Sequence, residues 1–191
     1  MDATANAHHH AMPAEGAALT AVAISATLHC LTGCAIGEVA GMAIGTAAGL
    51  SNLGTVILSI ALAFVFGYSL TSLPLLRSGL ALAAVVPIAL ASDTFSIATM
   101  EVVDNAVVLA IPGAIDAGLD SLLFWGSLCF SLVLAGAFAV PVNRWLIARG
   151  KGHAVVHETG VHGGPPVRVV AYVAAALGIF GTAVLIAEGL S

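Results

Sequence analysis

Charge is what this sequence has least of. Among its 191 residues five are Lys or Arg and ten are Asp or Glu, 8% in all. A soluble domain carries about 25%, so a folded chain of this composition does not present a surface suited to water. Bases are scarcer still than acids, and the net charge of −5 argues against nucleic acid as a partner. Cysteine is sparse: Cys30, Cys34 and Cys129 all fall in apolar segments, which argues against the disulfide framework of small secreted domains. No CxxC, Walker A, GxSxG or HExxH string occurs, so nothing points to a nucleotide site or a soluble hydrolytic centre, and enzymatic activity is not expected. The first residues lack the basic start and apolar core of a signal peptide.

What the chain has instead is long apolar runs. Hydrophobic residues make up 60% of it and mean hydropathy is +1.08. A spanning helix takes about 20 residues. The expected fold is an all-α, polytopic transmembrane helix bundle of about five spans, near 17–50, 53–73, 79–112, 119–143 and 167–188. The third run is too long for one untilted helix and contains Pro87. It reads as a short or re-entrant half, 79–92, followed by a polar half, 93–112, with one tilted and kinked helix as the alternative. Residues 1–16, with His8, His9 and His10, read as a disordered tail able to collect metal loosely, and 17–191 as a single membrane domain. Arg77, Arg144, Arg149, Lys151 and Arg168 flank two links on one side. By the positive-inside rule the N-terminus and the loop 144–166 are cytoplasmic and the C-terminus lies outside, in a bacterial inner (plasma) membrane.

Two polar interruptions stand out within the apolar runs. The first is His29-Cys30-Leu31-Thr32-Gly33-Cys34-Ala35-Ile36-Gly37-Glu38. A carboxylate at mid-helix costs at least about 2.5–3.5 kcal/mol on insertion scales, so Glu38 needs a partner. Gly33, Gly37, Gly41, Gly45 and Gly49 recur every four residues, a ladder suited to close helix packing, expected here against the third segment. Cys30, Cys34, Glu38 and Met42 run parallel to it. Cys30 and Glu38 are about 12 Å apart along a helix, so a shared ion would lie between neighbouring members, completed by His29 or by another helix. Thiolate and imidazole suit copper or zinc. The alternative is that the cysteines are ordinary core residues.

The second interruption runs from Asp93 to Asn105. Asp93, Ser96, Met100, Glu101 and Asp104 fall broadly on one side of a helix. Glu101 and Asp104 are i, i+3 neighbours, and in low dielectric they need either a cation between them or a proton on one of them. Asp93 also reads as an N-cap at the interface. In the loop, His153 and His157 stand at i, i+4 and could chelate on a helix. A solvated basic loop beside headgroups is the simpler reading there.

Three stretches together, Leu28 through Glu38, Asp93 through Asn105, and Asn143-Arg144-Trp145-Leu146-Ile147 with Gly150-Lys151-Gly152-His153, resemble a family of small bacterial integral membrane proteins catalogued as a domain of unknown function. The resemblance implies a unit built around these motifs and no particular activity.

The leading expectation is a metal-handling membrane protein, a transporter or intramembrane binding protein for copper or zinc. His29, Cys30, Cys34, Glu38, Met100, Glu101 and Asp104 are its candidate ligands, and Glu38, Glu101 and Asp104 double as a proton relay. The alternatives are a proton-coupled carrier or channel for a small solute, and a membrane scaffold or assembly subunit. Lipid, a metal ion and further copies of the chain are the expected partners.

Overall fold

In the computed structural model, residues 15–159 and 167–189 are described. The tail histidines, His162 and the 163–166 linker lie outside the described residues.

Among the described residues six helices follow one another: α1 (Gly16–Ala47), α2 (Asn52–Arg77), α3 (Leu82–Ala110), α4 (Leu122–Ile147), the short α5 (Ala154–Glu158) and α6 (Val167–Gly189), with one 3-10 turn at Ala114–Asp116. Five of them are long and apolar enough to cross a membrane, so the chain is an all-α, polytopic transmembrane bundle. Ser51 and Ser121 open α2 and α4 by accepting hydrogen bonds from the backbone N–H groups of Gly54 and Leu123.

The third apolar run is one continuous helix of 29 residues rather than two halves. Pro87 sits inside it. Its ring frees only the carbonyl of the residue four before it, close to the helix start, and hydrophobic packing on both sides carries the helix through. Pro74 likewise lies inside α2, which continues to Arg77 rather than ending near residue 73. Asp93 is therefore in mid-helix, with Ala81 as the N-cap, and does not cap α3.

The glycine ladder packs against α2, not against α3. Gly33 lies so close to Gly67 that an added Cβ would stand 2.7 Å from its Cα. Gly37, Gly41 and Gly45 meet Ala63, Ser59 and Thr55 in the same way. Thr55, Ser59, Ala63, Gly67 and Thr71 are all buried at four-residue spacing, so α2 presents a small-residue stripe of its own. Gly49 is not part of this seam: it has φ +65° beyond the end of α1, with open space around it. Residues one position on from a ladder are rotated by about 100°. The row of Cys30 and Cys34 consequently turns toward α3, where both pack with Ile97 and Met100, and with Ala63, Ala135 and Ala139.

At the end of the bundle that carries the bases, the chain leaves α4 and folds back inward. Gly150 and Gly152 adopt left-handed φ values of 66° and 60°, which side chains disfavour. Gly150 N–H donates to Ile147 O at 3.0 Å and Lys151 N–H to Leu146 O at 2.9 Å, a Schellman closure. His153, Ala154 and Val156 are then buried, Val156 against Leu75 and Val85. This stretch is packed into the bundle instead of lying solvated beside headgroups, because its apolar face fills the gap between α2 and α3. The last helix, α6, is peripheral and meets α4 where Gly181 approaches Trp125.

Candidate functional site

Polar side chains that sequence alone scatters over four helices meet along the inner faces of α1 and α3. His29 lies about 20 Å into α1 and is 1% exposed. Its Nε2 is 2.7 Å from the Thr71 hydroxyl of α2, while Nδ1 has no hydrogen-bond partner. Asp93 of α3 is fully buried. Its Oδ1 accepts a hydrogen bond from the Ser92 hydroxyl at 2.8 Å and lies 4.0 Å from the Cys30 thiol; its Oδ2 has no partner. His153 arrives from the folded-back segment. Its Nδ1 stands 3.4 Å from Asp93 Oδ1, and neither ring nitrogen makes a hydrogen bond. The two imidazoles meet edge to face with ring centroids 5.2 Å apart.

Ligand atoms of His29, Asp93 and His153 all lie within 4.8 Å of one another, and no other trio of His, Cys, Asp or Glu does so among the described residues. Burial draws the His153 imidazole down to about 4, against the opposing influence of the Ser92 backbone beside it. At neutral pH it is therefore uncharged and keeps a lone pair. Two imidazoles and a carboxylate with unpaired atoms facing inward form a donor set that can hold a borderline cation.

Next along the axis comes a closely packed layer. Cys30, Cys34 and Met100 pack there with Ile97. Asn143 of α4 ties this layer together by donating to Thr27 of α1 and Ser96 of α3, each at 2.9 Å. Beyond it, about 12 Å from Asp93 along α3, lie Glu101, Asp104 and, from α1, Glu38. The Ser131 hydroxyl of α4 donates to Asp104. A cavity of about 50 Å³ opens beside Glu38, Ser59 and Asp104.

The anticipated ligands are thus divided among three places. Among them only His29 is in the His–Asp–His cluster, with Cys30 at its edge. Cys34 and Met100 are in the intervening layer, and Glu38, Glu101 and Asp104 are in the far group. Asp93 and His153 were not among the anticipated ligands, because each has a commonplace local reading, a cap and a solvated-loop histidine. Neither has a spacing signal linking it to His29. Nothing in the sequence marks Thr71; only the packing of α2 on α1 brings it to His29.

The family model described as Domain of unknown function (DUF4396) matches residues 21–152. That stretch takes in His29 and Asp93 and stops one residue before His153. No curated protein matches the chain. No solved structure matches it.

Proposed function

We propose, for a chain that belongs to the DUF4396 family, a metal-handling role: it binds a soft or borderline cation, zinc or copper, inside the membrane at His29, Asp93 and His153, as a transporter or intramembrane binding protein. The observation that carries this reading is the 3.4 Å approach of His153 Nδ1 to Asp93 Oδ1 without a hydrogen bond between them. Two ligands of a tetrahedral zinc, each about 2.0–2.1 Å from the metal, stand roughly 3.3 Å apart. Thr71 completes the argument. A ligating histidine ordinarily commits its second nitrogen to an outer partner, which fixes the tautomer, and His29 Nε2 is committed in that way to Thr71. Cys30 is the nearest further donor.

The sulfur-lined layer beneath the cluster offers soft contacts to a cation moving inward, and the acids beyond it offer charge compensation. With the basic end in the cytoplasm, the His153 segment covers the cluster from that side. A proton-coupled carrier for a small solute is the second reading, supported by the part-buried Glu38 and the buried Asp104 beside a cavity, with Glu101 buried close by.

Metal analysis by mass spectrometry of the purified full chain tests the proposal. Near-stoichiometric zinc or copper should fall to the level of the tail histidines alone in His29→Ala and in His153→Ala, and should persist in Cys34→Ser. Equal metal in all four proteins would refute the site.

A further inference from the structure

The group at the other end of the polar column has a chemistry of its own. Glu38 of α1 and Glu101 of α3 are close enough for their carboxyl groups to act on each other. Glu101 is 5% exposed, and neither of its oxygens, nor Oε1 of Glu38, has a hydrogen-bond donor. The groups around the pair are the Cys34 thiol on α1, Ser59 on α2, Asp104 on α3 and, on α4, Ser131, whose hydroxyl is already given to Asp104. All five Lys and Arg residues are at 77, 144, 149, 151 and 168, toward the opposite end of the bundle.

Two carboxylates cannot both remain ionised and face each other in low dielectric without a positive charge between them. A hydrogen bond between two carboxyl groups likewise requires a proton on one. Calcium takes about six to eight oxygen ligands, more than two carboxylates present. Among the described residues no third acidic oxygen joins the pair in a group lying within 4.8 Å of one another, and Asp104 is held by Ser131. The cavity reaches Glu38 and Asp104 but not Glu101. It has room for water or a small bare ion, so Glu38 is the exchanging partner and Glu101 the inner one.

We infer that Glu38 and Glu101 form a binding site for one small monovalent cation, a proton or an alkali ion, entered through the cavity beside Asp104. The site is independent of the His–Asp–His cluster, and its test needs no metal.

Infrared difference spectroscopy on the full chain in lipid nanodiscs reads the protonated-carboxyl C=O band directly. In choline buffer at neutral pH the band should be present, and Glu38→Gln or Glu101→Gln should abolish it. Asp104→Asn and His29→Ala should leave it in place. If added sodium chloride leaves the band unchanged, the occupant is a proton; if sodium removes it and choline does not, an alkali ion replaces the proton in the same site. Either outcome supports the assignment. Absence of any such band in wild type in choline buffer, or its loss in Asp104→Asn alone, would overturn it. Unchanged circular dichroism of the glutamine variants separates loss of the cation from loss of the fold.

Discussion

His153, on the segment that folds back after α4, stands 3.4 Å from Asp93 in the middle of α3, and neither side chain reaches solvent. A buried imidazole held only by its 3.4 Å approach to Asp93 and by the Ser92 backbone, and a buried carboxylate with one unpaired oxygen, are costly to leave without a ligand. The fold nevertheless brings them together, using two left-handed glycines to do so.

The positioning of His153 depends on those glycines. Gly152→Ala places a Cβ 3.1 Å from Leu146 Cβ at a φ that costs an L-residue about 1–2 kcal/mol. Metal affinity, read by competition with a chelating dye, should fall at least about tenfold. The melting temperature should drop by only about 2–8 °C.

Thr71 holds His29 by its outer nitrogen. Thr71→Val keeps the volume and removes the hydroxyl, and should weaken metal binding by about 10–100-fold. Thr71→Ser should restore it. Equal affinities for Val and Ser in calorimetric titration would sever Thr71 from the site.

The α1–α2 seam sets a steric limit. Gly37→Ala drives a Cβ into the Ala63 backbone and should cost about 1–3 kcal/mol or more. Gly126→Ala meets nothing within 4 Å and should be neutral or stabilising by up to about 1 kcal/mol. Thermal unfolding in detergent compares the two.

Asn143 joins three helices through Thr27 and Ser96. Asn143→Ala leaves two buried hydroxyls without their donor and should lower stability by about 1–3 kcal/mol, again read by thermal unfolding. Metal stoichiometry should be retained.

Much of this architecture was legible in the sequence, because hydrocarbon demands helices and the apolar runs are long. The row of Cys30 and Cys34 beside a glycine ladder correctly marked two distinct faces of α1. Which helix each face meets was not legible. That depends on the complementary stripe of Thr55, Ser59, Ala63 and Gly67 on α2, whose residues look unremarkable one at a time. The continuity of α3 through Pro87 was hidden for a related reason: a proline signals a break locally, and tertiary packing decides otherwise. His29, Asp93 and His153 are separated by 64 and 60 positions, so no periodicity could join them; only the reversal at Gly150 and Gly152 does so.

X-ray absorption spectroscopy of the zinc-loaded protein reads the ligands of the His–Asp–His site themselves. The spectrum should show a first shell of nitrogen and oxygen at about 2.0–2.1 Å with imidazole scattering from two rings, and at most one sulfur, from Cys30. A shell with two sulfurs at about 2.3 Å, unchanged by His153→Ala, would place the metal on Cys30 and Cys34 and contradict that site.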